Sequence, residues 1–385
     1  MRSAGFAYPF LSFRLDELGF STGLVGLILG AFGVGWLAGQ LLSGALADRF
    51  GRRATLVGSM LTAAASLLLL AQARTASAVL AATVVAGAVY DAHRPIVSAA
   101  IQDLIPSEAE RTRVNARRHL AVNVGAALAG AAGGLLVHRV GMSWLFWVNA
   151  AACLGFALIA LRFVAPDPGH RAPGETSAAG RREAFADIRL WLLWLASLAA
   201  LICAAMIFTA LPILMQKSGL GAAAYGWTQV SNGLVVLIVS PLLGPWLSRR
   251  AASGMPLLGP LAASSFILGA GMAAAGLATT TAGYSLAVAV AVPGEVILFI
   301  AAGNVLDHIS PPGCRGLYAG IWGTGLAVAI IAAPTLTAWA LETGGGLLAA
   351  VTTATTGLLG AALCLPLKAL TGHVPVPTAA PRAVA

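Results

Sequence analysis

The chain has 385 residues, of which 58% are hydrophobic and 10% are charged, whereas a soluble domain carries about 25% charged residues. With a mean hydropathy of +0.86, this composition excludes a soluble enzyme, a disordered chain and a disulfide scaffold. Since a transmembrane helix needs roughly 20 apolar residues, the length is enough for about twelve such helices with short loops.

The weakly charged runs predict eleven full transmembrane spans after an incomplete first one. The first run, from Met1 to Phe13, would cover about 20 Å as a helix, less than the ~30 Å hydrocarbon core. We expect it to be the second half of a helix whose beginning lies upstream in frame. Spans 2 to 12 are 21–47, 54–73, 76–104, 120–137, 140–161, 190–216, a span within 218–248 that starts near Tyr225, two spans within 251–305 divided at 278–283, 316–341 and 344–367.

The basic residues predict the orientation in the membrane. Seventeen of the 23 lie on the side of the loop 48–53, and four lie on the opposite side. By the positive-inside rule this loop is cytoplasmic, and both ends of the complete twelve-helix form are then cytoplasmic in the cell (plasma) membrane. A net charge of +9 would suggest nucleic-acid binding in a soluble protein. Here the charges lie between apolar runs, so we expect no nucleic-acid partner.

The longest polar loop divides the chain into two similar halves. We expect an N-terminal bundle over 1–164, a cytoplasmic linker over 165–188, a C-terminal bundle over 189–369 and a cytoplasmic tail over 370–385. Asp103 at the end of span 4 and Arg111 after it recur as Asp307 and Arg315 after span 10, each 204 residues later. Internal repetition of this kind is typical of transporters built from a duplicated unit.

The loop after span 2 carries the most specific motif, GALADRFGRR at 44–53. It resembles the G-x-L-x-D-R-x-G-R-R/K loop of the major facilitator superfamily, and with the two-half topology the resemblance covers the whole chain. The matching residues are Gly44, Leu46, Asp48, Arg49, Gly51, Arg52 and Arg53. The resemblance implies an all-α integral membrane fold of two six-helix bundles, with about eleven full transmembrane helices and a truncated first helix.

The same resemblance implies that Asp48 takes part in a gate. Its carboxylate would sit near the start of span 11, around Gly316 to Gly320, where the helix dipole favours an anion. The alternative is that Asp48 only caps a turn and that the neighbouring arginines only set the topology.

Residues 123–134, NVGAALAGAAGG, resemble the G-x-x-x-G-P-x-x-G-G pattern of antiporters in the multidrug-efflux-like branch of that superfamily. Gly125, Gly133 and Gly134 match, but Ala129 and Gly130 stand where Gly-Pro is usual, and plain small-residue packing is an equal alternative. The resemblance implies proton-coupled export of small hydrophobic or cationic molecules. Uptake or efflux of a metabolite such as a sugar or amino acid is the alternative, and a non-transporting receptor or scaffold is a remote one.

Ionisable residues inside spans are costly and mark functional sites. Asp91, His93 and Arg94 lie in span 4 and Glu295 lies in span 10, at the position equivalent to Asp91. Asp91 and Arg94 can pair one helical turn apart, whereas Glu295 has no basic neighbour within a turn of its own helix. We therefore expect Glu295 to be linked to the proton, with inter-helix hydrogen bonding as its alternative. His93 is either part of this group or a core residue. Other residues that could line a substrate cavity are Asn123, Gln229, Asn232, Tyr318 and Trp322.

Motifs for phosphate binding and for metal binding are absent from the sequence. It has no G-x-x-x-x-G-K-S/T loop, no H-E-x-x-H and no paired-histidine metal motif. The four cysteines are far apart and are expected to be buried thiols. We expect no enzyme, no catalytic residue, no metal and no cofactor. The expected partners are a small-molecule substrate, protons and the lipid bilayer, with the chain acting as a monomer.

Overall fold

The structure is a computed structural model that describes residues 8–90, 141–165, 184–252, 255–311 and 315–371, with residue 182 and a few positions between 92 and 137. All regular elements in these ranges are α-helices, so the predicted all-α membrane fold is confirmed. Most of span 5 and the linker residues 166–181 lie outside the described residues.

The helices follow one another with short connections. They are α1 (Tyr8–Glu17), α2 (Thr22–Phe50), α3 (Arg52–Gln72), α4 (Ala76–Tyr90), α5 (Met142–Phe163), α6 (Ile188–Thr209), α7 (Leu211–Lys217), α8 (Ala222–Ala251), α9 (Leu258–Leu277), α10 (Thr281–Ile309) and α11 (Arg315–Thr371). Among the described helices, eight are long and apolar enough to cross a membrane. The range of α11 contains both span 11 and span 12. The two spans are separated at Gly345, whose φ of 65° and ψ of −160° interrupt the helix.

Span 7 differs from its prediction as one continuous helix. It is divided at Ala210 into α6 and α7. The reason is Pro212 in the first turn of α7, because proline has no N–H to extend the hydrogen-bond ladder of α6 and its ring clashes with the preceding turn. Span 8 also differs slightly, since α8 begins at Ala222 rather than near Tyr225.

We call the two ends of the helix bundle the Arg52 end and the Glu342 end, after one residue at each. At the Arg52 end, α2, α5 and α8 finish and α3 and α6 begin; at the Glu342 end, α2 and α8 begin and span 11 finishes. The helices run alternately between the two ends, so antiparallel neighbours such as α2 and span 11 present opposite termini at each end.

Small residues let helices within each half approach closely. In the first half, a Cβ at Gly39 of α2 would collide with the backbone of Ala88 in α4. In the second half, a Cβ at Gly269 of α9 would lie 2.7 Å from Cα of Gly357 in span 12. Close backbone packing of this kind replaces the hydrophobic driving force that is missing in lipid. Each half is therefore tightly packed through contacts that any larger side chain would break.

Candidate functional site

The motif loop joins α2 to α3 through one glycine. Gly51 has a φ of 85°, a conformation that favours glycine, and its N–H donates to the carbonyl of Ala47 over 2.9 Å. Arg53 donates from Nη2 to the carbonyl of Leu161 over 2.6 Å, which ties the loop to the end of α5. Arg49 is exposed, with its guanidinium 5.4 Å from the ring centre of Phe50. Of the motif arginines, Arg53 thus has a structural contact in its own half.

Asp48 lies in the last turn of α2, but its side chain and that of Gly44 are outside what the structure describes. The contact between Asp48 and the start of span 11 therefore stays a prediction. Its expected partner region, at Gly320, has no described atom within 4 Å of where a Cβ would lie.

A carboxylate that the sequence analysis missed lies at the start of α6. Asp187 caps this helix, and its Oδ1 accepts hydrogen bonds from the N–H and Nε of Arg189 over 2.9 and 3.0 Å. Its Oδ2 accepts from Nη2 of Arg189 and from the hydroxyl of Tyr318, each over 2.9 Å. Burial opposes ionisation, but the hydrogen bonds from Arg189 and Tyr318 outweigh it and hold the pKa of Asp187 below its ordinary value. A helix-capping aspartate before an apolar run was a detectable signal.

Tyr318, expected near a substrate cavity, is thereby placed in a cluster at the Arg52 end. It is buried, and its hydroxyl connects the first turn of span 11 to Asp187 at the start of the second half. The cluster joins span 11 to α6 within one half. It therefore orients the beginning of span 11 independently of the first half.

Glu295 stands at the midpoint of α10, fourteen residues from either end of Thr281–Ile309. It is partly buried, and its neighbour Gly294 lets α10 approach α9, because a Cβ there would lie 2.8 Å from the carbonyl oxygen of Ser264. His93 is buried, with its ring centre 6.4 Å from that of Phe156 in α5. Asp91, Arg94 and Asn123 lie outside the described residues.

Two of the polar residues predicted to line a cavity form a buried group in α8. Gln229 donates from Nε2 to the carbonyl of Ile207 over 3.3 Å, and the hydroxyl of Tyr225 donates to the same carbonyl over 3.4 Å. Nδ2 of Asn232 donates to Oε1 of Gln229 over 3.4 Å. Ile207 is close to the break at Ala210, so Tyr225 and Gln229 support the backbone beside that break.

Asn232 and Trp322 each keep one buried polar atom available. Oδ1 of Asn232 and Nε1 of Trp322 have no hydrogen-bond partner among the described residues. Buried polar atoms are normally paired, so each such atom needs an explanation.

Contacts between the two halves lie at the Glu342 end. The ring of Tyr225 in α8 meets those of Phe10 and Phe13 in α1, with centres 5.3 and 6.0 Å apart. Nearby, Nε2 of Gln216 in α7 donates to the buried hydroxyl of Ser12 over 3.1 Å. These contacts join α1 of the first half to α7 and α8 of the second half.

Among the described helices, the largest contact between the halves joins α2 to α11, through its span 11 part. Glycines of α2 line it at a helical spacing, and a Cβ on any of them would meet span 11 at 2.5–2.9 Å. The facing pairs are Gly23 with Glu342, Gly26 with Ala338, Gly30 with Thr335 and Gly33 with Ile331. This interface is therefore built for backbone contact, which a side chain would prevent.

The same two helix faces continue toward the Arg52 end without this contact. Steps of three and four residues extend the face of α2 from Gly33 to Gly44 and Asp48, and the face of span 11 from Ile331 to Gly323 and Gly320. At both Gly320 and Gly323, no described atom lies within 4 Å of where a Cβ would be. Among the described residues, this pair of helices is therefore in contact at the Glu342 end and shows no such contact at the start of span 11.

Three comparisons with known proteins agree with this architecture. The model of the family described as Major Facilitator Superfamily matches residues 3–334. The chain is 27% identical over 327 residues to "Multidrug resistance protein MdtH" of Aeromonas salmonicida, and 28% identical over 339 residues to the protein of the same name in Aeromonas hydrophila. Each match covers 83% of this chain and 79% of the relative.

A solved structure supports the fold. A POT family transporter in complex with a thioalcohol conjugated peptide superposes with a TM-score of 0.79, at 14% identity, over 96% of this chain and 94% of that one. At this identity the likeness shows the fold alone. The family resemblance found in the sequence is confirmed.

Proposed function

The chain belongs to the Major Facilitator Superfamily, and from that premise we propose that it exports small hydrophobic or cationic molecules in exchange for protons. It is a multi-pass membrane protein of a transporter family. The proposed cycle is alternating access, in which the two halves rock around a central site and close one end at a time.

The observation that carries this proposal is the half-closed contact between α2 and span 11. The glycine-lined faces touch from Gly23 to Gly33, and among the described atoms none lies within 4 Å of where a Cβ at Gly320 or Gly323 would be. We expect a rocking transporter to use the remaining parts of the two faces at another stage of its cycle. When the Arg52 end closes, the parts of α2 and span 11 near that end would come together while the Glu342 end separates.

The charge distribution supports the orientation that we propose. The Arg52 end carries Arg49 in the last turn of α2, Arg52 and Arg53 at the start of α3, and Arg249 and Arg250 in the last turn of α8. By the positive-inside rule, this end faces the cytoplasm, with both ends of the complete twelve-helix form on that side and the protein in the cell membrane. In this proposed orientation, the contact between α2 and the end of span 11 lies on the outer side of the membrane.

The proposed substrate class rests on the relatives. The two Aeromonas proteins are named for multidrug resistance. Asn232 and Trp322 stay the residues proposed to bind a flat, apolar molecule with a polar or cationic group.

The proton is assigned to Glu295. A carboxylate at the midpoint of α10 is desolvated in the membrane interior, and such residues serve as proton carriers in transporters. Asp91 and Arg94 are proposed as a paired cavity or gating group on the equivalent part of span 4. Asp48 is proposed as the gating anion of the Arg52 end.

A dye-efflux assay in cells tests the function. Cells that express the protein should lose a fluorescent lipophilic cation faster than cells with an empty vector, and a protonophore should abolish the difference. Control cells should express the Gly26→Val variant, which is expected to reach the membrane but not to complete the cycle. Faster dye entry would favour uptake, and equal rates over a panel of cationic and neutral dyes would contradict drug export.

A further inference from the structure

A carboxylate from the second half seats on a helix terminus of the first half. The N–H of Gly23 donates to Oε1 of Glu342 over 2.6 Å, although the two residues are 319 positions apart. Gly23 is in the first turn of α2, where the N–H groups have no partner within the helix. Glu342 lies just before the break at Gly345 that ends span 11.

The seat is shaped for this carboxylate. A Cβ at Gly23 would lie 2.8 and 2.9 Å from the two carboxylate oxygens of Glu342, so any larger residue would displace them. Ser21, the residue before α2, accepts instead from Leu24 over 3.4 Å. The first turn of α2 is therefore capped twice, once by its own half and once by the other half.

The arrangement reverses the one predicted for Asp48. Asp48, at the end of α2, is expected at the start of span 11, whereas Glu342, at the end of span 11, is found at the start of α2. Because the two helices are antiparallel, each finishes with a carboxylate suited to the N-terminus of the other. Only the contact at the Glu342 end involves described side chains.

We propose that Glu342 is the lock of the Glu342 end, a positioning residue whose release from Gly23 opens that end in each transport cycle. The proposal rests on the alternating access proposed above. Substrate is not needed for the lock to act, since the contact joins the two halves directly. Loss of the contact shifts the population of conformations toward the form open at the Glu342 end.

Opening of the Glu342 end can be measured by the labelling of a cysteine introduced at a buried position. Ser12 is fully buried where α1 meets α7 across the two halves, so a Ser12→Cys variant should react slowly with a maleimide in the closed form. Cys153, Cys203 and Cys364 are buried and can stay, while Cys314→Ser removes the fourth thiol. The parent without Ser12→Cys gives the background rate in purified protein.

In this background, Glu342→Ala should raise the labelling rate about two- to fivefold, the range expected for a charge at a helix terminus. Gly23→Ala should do the same by filling the seat. The double variant should add nothing further, because both changes break one contact. The matched control is Glu17→Gln, which removes a carboxylate at the same end that pairs with Arg14 at 3.5 Å instead.

An unchanged rate in both Glu342→Ala and Gly23→Ala would overturn the lock. An equal rise in Glu17→Gln would also overturn it, because loss of any negative charge would then suffice. The measurement uses no substrate, so a protein that moves no dye yet shows the expected labelling would refute the proposed export and keep the lock.

Discussion

The two ends of the α2 and span 11 pair are made of similar parts, but among the described residues only the Glu342 end shows contact between the two helices. At the Glu342 end, Gly23, Gly26, Gly30 and Gly33 touch span 11 directly. At the Arg52 end, Gly320 continues the same surface of span 11 and meets nothing among the described residues. Small residues therefore permit contact at both ends, but they do not decide which end is closed.

The groups at the helix termini distinguish the two ends. Glu342 bonds to the first turn of α2 across the halves, whereas Tyr318 in the first turn of span 11 bonds to Asp187 within its own half. Contacts that cross between halves hold an end shut, and contacts within a half leave it free to move. Since each contact is weak, a few such groups can set the balance between conformations.

Bulky residues on the shared face should have the largest effect. Gly26→Val places a side chain where even a Cβ would lie 2.5 Å from that of Ala338, so it should hold the Glu342 end open and reduce transport to background. Gly320→Val has room in the present conformation and should instead hold the Arg52 end open. Labelling of Ser12→Cys should rise in the first variant and fall in the second. A change in the same direction in both would break the comparison.

Removing the carboxylate of Glu295, midway between the two ends, should abolish the coupling of transport to protons but leave the closing of the two ends intact. In inverted vesicles, Glu295→Gln is expected to lose the response of substrate flux to an imposed pH gradient. Flux driven by a substrate gradient alone should persist, because the helix faces that close the ends are intact. Asn304→Asp on the same helix is the control for an altered charge. Flux in Glu295→Gln that stays as pH-driven as in the parent would exclude it as the proton carrier.

Neutralising the predicted anion of the Arg52 end should have a moderate effect. Asp48→Asn is expected to slow transport several-fold at near-normal expression, because one charge–dipole contact contributes up to about 1 kcal/mol. Labelling of Ser12→Cys should fall, opposite to the effect of Glu342→Ala, since the Arg52 end would close less often. Transport and labelling equal to the parent would leave Asp48 with a turn-capping role.

Disrupting the cluster of Asp187, Arg189 and Tyr318 should have the smallest effect, which is on thermal stability and depends on pH. The pKa of Asp187 is lowered from its ordinary value of 3.8, so its stabilising contribution is present above about pH 4 and is lost as the pH falls through the lowered pKa. Asp187→Asn should slightly lower the melting temperature of the purified protein at pH 7. The difference from the parent should shrink on acidification below the ordinary pKa. A difference that grows at low pH would contradict the assignment.

The sequence predicted most of the helices because apolar runs alternate with short polar segments along the chain. The division at 278–283 matches the gap between α9, which ends at Leu277, and α10, which begins at Thr281. The break at Ala210 was missed, although Pro212 was visible, because neighbouring helices often absorb a proline inside a membrane span. In this chain Tyr225 and Gln229 bond to the carbonyl of Ile207 beside the break.

The candidate site was less predictable. Gln229 and Asn232 were identified as polar residues in an apolar span, and they do bond to each other. Glu342 was missed because it stands at the end of a span, where a carboxylate is inexpensive and draws no notice. Its partner is a backbone N–H, which no side-chain pattern reveals.

The sequence by itself determined the helices, their order, the family and the asymmetry of charge across the membrane, since these follow from hydrophobic length, loop charge and one local motif. Only the tertiary structure decided which helix faces meet and which end is closed. Glu342 and Gly23 are 319 positions apart, and their contact depends on the relative placement of two halves. That placement is set by small differences in packing between competing conformations, which hydrophobic pattern and residue spacing do not encode.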